Sequence, residues 1–149
     1  MKKKNSVTSF NTFIKKKETQ DIQNKNVLLY TRVSSKEQAE NNGSLETQLS
    51  GIRNYCEEKD YHIIGKYGGV HESAKNDFTR EEFMDLIENA RNRKPKPFGI
   101  VVWIISRFSR SGAGGISILY ELVEEHGIHL IEASSGLDTT TERGYHSIL

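Results

Sequence analysis

A serine and an arginine follow the first strongly apolar run of the chain at a spacing that could support phosphoryl chemistry. Arg32 and Ser34 come directly after the run 27–30, and side-chain alternation along an extended chain points both to the same face. Ser35 then points to the opposite face. A hydroxyl beside a permanently charged guanidinium is suited to attack on phosphorus, although a simple polar turn after a strand would contain the same residue types.

Further arginines follow other predicted elements. Arg107 and Arg110 come after the apolar run 98–105, and their spacing of three residues places both on one side of a helical turn. Arg80 opens a predicted helix behind a polar loop. Several guanidiniums around one hydroxyl would stabilise the negative charge that develops during in-line displacement at a phosphodiester, whereas the alternative is a set of ordinary solvated surface arginines.

Hydrophobic periodicity predicts the elements that must position these residues. Short β-rich runs alternate with helical patterns, which is typical of a parallel sheet covered by helices. The pattern predicts a three-layer α/β domain with a mostly parallel sheet of four to five strands and helices on both faces. In such sheets ligands bind at the carboxyl ends of the strands. The predicted strands are 27–33, 61–67, 98–105 and 128–133, and the predicted helices begin at Ser44, at a capping box Thr79-Arg80-Glu81-Glu82, at Ile116 and at Arg143.

Composition and charge divide the chain into two parts. The 149 residues are 35% hydrophobic and carry a net charge of +1, but residues 1–26 contribute +5, so residues 27–149 carry −4. We therefore predict a flexible basic arm over 1–25 and a folded domain over 26–149. An acidic body cannot bind DNA tightly by net charge alone, so any affinity must come from the arm, from local arginines or from other segments.

Several other residues of chemically capable types are not predicted to form a functional site. The single cysteine, Cys56, lies on an apolar helical face and is predicted to be core, and Trp103 is predicted to be buried within the central strand. His126 and His129 flank a helix end, but no cysteine or carboxylate cluster in the sequence pattern completes a metal site. The glycine-rich stretch 112–115 fits neither the P-loop nor the dinucleotide-binding spacing. No run is long enough for a membrane span.

Four motifs resemble those of the serine recombinases, the resolvase and invertase family. Tyr30-Thr31-Arg32-Val33-Ser34 is similar to the nucleophile motif, and Ser44-Leu45-Glu46-Thr47-Gln48 to the motif whose glutamine faces the active serine. Arg80 matches the arginine at the start of the second helix, and Arg107-Phe108-Ser109-Arg110 resembles the paired-arginine motif. The resemblance extends over residues 27–149 and favours the large serine recombinases, or integrases, of mobile elements.

The resemblance implies site-specific DNA recombination. Ser34 would attack a DNA phosphodiester to form a 5′-phosphoserine link, Arg32, Arg80, Arg107 and Arg110 would bind the phosphate, and Gln48 would orient groups nearby. The implied partners are double-stranded DNA and further copies of the chain, as a homodimer in solution or on DNA and a tetramer in the synaptic complex. Neither a metal nor another cofactor is implied. The expected setting is the cytoplasm of a bacterium, with a bacterial, phage or mobile-element gene, and a DNA-binding region is expected beyond Leu149.

The chain departs from the family pattern at one position. The family usually has an aspartate before the first paired arginine, where this chain has Ser106. Glu72 is a candidate for another family acidic residue, although the alignment there is offset by a residue. Two alternatives therefore stay open at this point: a catalytically impaired recombinase relative, and a non-catalytic, flavodoxin-like module that binds phosphate or a nucleotide.

Overall fold

Alternating strands and helices follow one another along the described part of the chain. The structure is a computed structural model that describes residues 10–11, 24–31, 45–68, 76–105 and 115–149, with only the backbone described for 76–80 and 115–116. The elements are β1 (Asn26–Thr31), α1 (Leu45–Lys59), β2 (His62–Gly68), α2 (Asn76–Asn92), β3 (Gly99–Val102), α3 (Gly115–Glu124), β4 (His129–Glu132), β5 (Leu137–Asp138) and α4 (Glu142–Ile148).

The strands form one five-stranded sheet in the order β2-β1-β3-β4-β5. The first four strands are parallel, and β5 pairs antiparallel with β4. Parallel neighbours need long crossover connections, which the helices provide. The predicted mostly parallel α/β sheet is therefore confirmed. Among the described residues, no helix combines the length and the apolar character that crossing a bilayer requires.

Alternate residues of β1 face two separate hydrophobic layers. Leu28 and Tyr30 pack in a core with residues of α2 and α3, whereas Val27 and Leu29 pack in a second core with residues of α1. All four of these side chains are at most 2% exposed. A strand that is apolar on both faces belongs in the middle of a parallel sheet, as the continuous apolar run predicts.

The register of β1 with β3 sets the edge at which a site can form. Leu28 pairs with Ile100 and Tyr30 with Val102, so both strands end at the same level of the sheet. The strand that leads to Arg32 and the strand that leads to Trp103 therefore end next to each other in the sheet.

The central strand is shorter than its apolar run. β3 covers Gly99–Val102, whereas the sequence pattern predicts a strand over 98–105. Trp103 lies just beyond the strand and is half-buried, so its predicted position as a buried strand residue is wrong. Its ring packs against α1 instead: a Cβ atom built on Gly51 would lie 2.4 Å from the Trp103 Cζ3 atom.

Helix α2 begins three residues before the predicted capping box. It starts at Asn76, so Thr79 and Arg80 lie inside the helix and Thr79 is not an N-cap. The Glu82 carboxylate, which would complete the box, accepts the backbone N–H of Gly68 instead. Tertiary pairing with the end of β2 thus replaces the local hydrogen bond that the motif predicts.

Among the described residues of the basic leader, Phe10 belongs to the core. Phe10 is 8% exposed, and its ring meets the ring of Tyr145 on α4 edge to face, with centroids 5.4 Å apart. Phe10 falls within the predicted basic arm over 1–25, yet its ring is packed in the core of the domain. The rest of the leader up to residue 23, apart from Asn11, lies outside the described residues.

We predict that Phe10→Ala lowers the free energy of unfolding by about 3 kcal/mol, because it removes a buried ring from the core. Urea unfolding of the whole chain measures this change. Asn11→Ala is the matched control, since Asn11 is the exposed neighbour of Phe10. Equal stability of both variants would show that the Phe10 ring contributes nothing to the core.

We also predict that Gly51→Ala lowers the free energy of unfolding by about 1 kcal/mol, because overpacking against Trp103 outweighs the better helix propensity of alanine. Trp103 is the only tryptophan, so its fluorescence reports the displaced ring directly. Ser50→Ala, at an exposed position on the same helix, serves as the control. An unchanged emission spectrum in Gly51→Ala would contradict the close contact.

Candidate active site

Most of the predicted site residues lie outside the described residues. Arg32, Ser34, Ser35, Arg107 and Arg110 belong to this undescribed set, as do Glu72, Ser106 and residues 112–114. Arg80 is described only as backbone, within α2. What the structure does describe is the set of elements from which these residues extend.

Gln48 is the predicted site residue whose side chain the structure describes. It lies in the first turns of α1 and is 2% exposed, on the same helix face as Ile52, which packs in the second core. A primary amide buried to this degree must satisfy its hydrogen bonds inside the protein. Gln48 is therefore held in a defined orientation on the sheet side of α1, as a positioning role requires.

The end of β1 is tied to β2 and α2. Thr31, the residue before Arg32, pairs with Gly68, and its carbonyl oxygen would lie 2.0 Å from a Cβ atom on that glycine. Gly68 has a φ of 78°, so both the close approach and the backbone angle require glycine. The Gly68 N–H donates to the Glu82 Oε2 atom at 2.5 Å. The helix that carries Arg80 is thereby attached to the strand that leads into Arg32.

The end of β3 is held by β4 and the turn after it. The Trp103 carbonyl accepts the Ser134 N–H at 3.1 Å, and the Ile105 N–H donates to the Glu132 Oε2 atom at 2.7 Å. Ile105 is the last described residue before the predicted arginine pair. The structure thus defines where the chain leaves the sheet two residues before Arg107. The sequence pattern gives no sign of this role for Glu132, because the contact spans 27 residues.

A carboxylate cluster surrounds His126, contrary to the sequence expectation. Ligand atoms of Glu121, Glu125 and His126 lie within 4.8 Å of one another, because the end of α3 brings the three together. However, the Arg91 Nη2 atom is 2.6 Å from the Glu121 Oε2 atom and supplies a permanent positive charge there. Burial opposes ionisation of Glu121, but hydrogen bonds from His126 and Arg91 and their charges outweigh it and lower the pKa of this carboxyl. The cluster is explained as an ion-pair network between α2 and α3.

Two other chemically capable residues belong to the core. Cys56 is 2% exposed, and burial raises the pKa of its thiol to about 11, so it stays protonated at neutral pH. His129 is equally buried, with its Nδ1 atom 3.0 Å from the Thr139 Oγ1 atom and its ring 4.8 Å from that of Phe98. His129 pairs with Gly99 at the start of β3, which is the end of the sheet away from the candidate site.

Comparisons with known proteins agree with this architecture. The family model described as the resolvase N-terminal domain matches residues 27–148. A resolvase family site-specific recombinase from Streptococcus pneumoniae is 32% identical, with a TM-score of 0.68, covering 83% of this chain and 81% of that one. The N-terminal catalytic domain of TP901-1 integrase has the same fold at 24% identity, with a TM-score of 0.66, covering 83% of this chain and 89% of that one.

Comparison with curated proteins gives no significant match. The family match covers four-fifths of the sequence and includes the strands and helices that border the candidate site. Nothing in these comparisons favours the flavodoxin-like alternative. The chain therefore belongs to the resolvase family, and residues 27–148 form a serine recombinase catalytic domain.

Proposed function

We propose that this domain cleaves and rejoins DNA at specific sites, with Ser34 as the nucleophile and Arg32, Arg80, Arg107 and Arg110 as the phosphate-binding groups. The observation that carries the proposal is the parallel pairing of β1 with β3, which sets Tyr30 beside Val102, so that the strand leading to Arg32 and Ser34 ends next to the strand leading to Arg107. The Glu82–Gly68 hydrogen bond supports the inclusion of Arg80, because it attaches α2 to the same edge.

The proposed reaction is an in-line displacement at a DNA phosphodiester. The Ser34 Oγ atom loses its proton and forms a bond to phosphorus, while the bond from phosphorus to the 3′ oxygen breaks and that oxygen is protonated. The 5′-phosphoserine retains the energy of the phosphodiester, so a 3′-hydroxyl can reverse the attack and rejoin the strands. The arginines stabilise the additional negative charge at phosphorus. Every group in this scheme belongs to the protein or the DNA.

Charge distribution supports a local mode of DNA binding. Residues 27–149 carry −4, so the domain as a whole repels a duplex, and attraction must come from the arginines at the sheet edge and from the leader, which carries +5. We propose that double-stranded DNA is the partner and that the active assembly is a dimer on each site and a tetramer in the synaptic complex. The likeness to an integrase domain supports a role in DNA integration by a mobile element.

We predict a covalent protein–DNA adduct that depends on Ser34. The protein at its full natural length is incubated with plasmid DNA carrying both ends of the genetic element that encodes it, and the reaction is stopped with detergent. Ser34→Ala eliminates the adduct, because it removes the proposed nucleophile. Ser35→Ala retains it, because strand alternation predicts that the Ser35 side chain lies on the opposite face from Arg32. Loss of the adduct in Ser35→Ala but not in Ser34→Ala would assign the nucleophile to Ser35.

We further predict that Arg107→Ala slows cleavage by about 10²- to 10³-fold, the usual effect of removing one group that stabilises developing negative charge. The rate of adduct formation at saturating DNA measures this loss. Arg107→Lys recovers only part of the rate, because an ammonium group cannot form the two parallel hydrogen bonds of a guanidinium. Arg53→Ala, an exposed position on α1, is the matched control. A normal rate in Arg107→Ala would remove this residue from the site.

A further inference from the structure

Glu132 uses both carboxylate oxygens at the carboxyl edge of the sheet. Its Oε2 atom accepts the Ile105 N–H at 2.7 Å, and its Oε1 atom accepts the Ser135 hydroxyl at 2.6 Å. Hydrogen bonds to an ionised carboxylate are stronger than bonds between neutral groups. With one oxygen held by the turn after β4, the other is fixed in position to bind the chain that leaves β3.

The Ile105 contact lies immediately before the predicted arginine pair. β3 ends at Val102, so pairing with β1 and β4 no longer constrains the backbone at Ile105. Arg107 follows two residues later, at most about 7 Å further along an extended chain. A constraint on Ile105 therefore limits where the Arg107 guanidinium can lie.

The Glu132–Ile105 contact lies next to position 106, where this chain departs from the family motif. The motif that resembles the family's paired arginines has Ser106 where the family usually has an aspartate. In this chain a carboxylate reaches the neighbouring residue from another strand, because Glu132 lies on β4 beside the end of β3. A negative group is thus present at this point of the site although the motif itself lacks one.

We propose that Glu132 is a positioning residue for the arginine pair, and that it takes the place of the missing aspartate at position 106. This inference rests on the proposed function. Glu132 does not touch DNA; it holds the backbone at Ile105, so that Arg107 and Arg110 meet the phosphate in the geometry that cleavage needs. A misplacement of about 1 Å at such a site can cost a factor of about 100 in rate.

The first test needs no DNA. Amide hydrogen exchange rates are measured in the wild-type protein, in Glu132→Ala and in Glu88→Gln, a control at an exposed position. We expect the Ile105 amide to exchange at least about tenfold faster in Glu132→Ala, because a hydrogen bond to a charged group is lost. Glu88→Gln exchanges as the wild type does. Unchanged exchange at Ile105 in Glu132→Ala would overturn the proposal.

The second test measures adduct formation against DNA concentration. We expect Glu132→Ala to slow cleavage about 10- to 100-fold at saturating DNA, with little change in the DNA concentration that gives half the maximal rate, because the arginines are misplaced rather than removed. Glu132→Gln retains most of the rate, since an amide oxygen can accept the same N–H. Adding Ser106→Asp to Glu132→Ala restores part of the rate.

Three outcomes would overturn the positioning role. They are a wild-type cleavage rate in Glu132→Ala, a loss in DNA affinity alone, and no recovery in the double variant. If Glu132→Ala fails to fold, as thermal unfolding would reveal, Glu132→Gln decides the matter: a folded Glu132→Gln protein that cleaves as slowly as expected for Glu132→Ala would overturn positioning through the Ile105 N–H. A wild-type chain that forms no adduct would overturn the proposed function itself. The exchange measurement is independent of DNA, so it tests the Glu132–Ile105 contact separately from the proposed function.

Discussion

The parallel pairing of β1 with β3 is the constraint on which the rest of the site depends. From Val27 to Tyr30 each residue of β1 pairs with one of β3, and the side chains of these paired residues are at most 3% exposed. Because both faces are covered by helices, a shift of register would move apolar side chains out of two cores at once. The level at which the two strands end is therefore strongly specified, and with it the place where a serine-bearing segment and an arginine-bearing segment begin.

Beyond the strand ends, single tertiary contacts replace the regular ladder. Glu82 binds the backbone of Gly68, Glu132 binds the backbone of Ile105, and the Trp103 ring lies against α1 at Gly51. Each contact attaches an element that carries a predicted site residue to a different neighbour: α2 with Arg80, the chain before Arg107, and α1 with Gln48. Backbone N–H groups beyond a strand end have no hydrogen-bond partner in the sheet and must find another acceptor. The carboxylates at this edge accept such N–H groups, so they fix the position of the backbone as well as contributing negative charge.

Local patterns predicted the elements and the family but not these contacts. Apolar runs and helical periods placed four strands and the main helices correctly, because burial on one or both faces leaves a periodic record in the sequence. The same periodic pattern gives wrong predictions where tertiary contacts determine the local structure. The apolar run continues past Val102, but there Trp103 packs on α1 and Ile105 against the opposite core rather than extending the strand. The Thr79–Glu82 spacing matches a capping box, but its glutamate is bound to Gly68. Phe10 and Glu132 had no local signal, since their partners are 135 and 27 residues away.

The net charge of the domain makes geometry more important than it would be in a basic protein. A strongly cationic surface gains affinity from many phosphate contacts, and the loss of one contact is tolerated. Residues 27–149 carry −4, so in the proposed reaction a phosphate at the sheet edge would be attracted only by a small number of guanidiniums acting at short range. Short-range hydrogen bonds weaken steeply with poor alignment. A carboxylate such as Glu132 adds negative charge that repels DNA at long range. In the proposed positioning role, the alignment that Glu132 provides at short range contributes more than this repulsion costs.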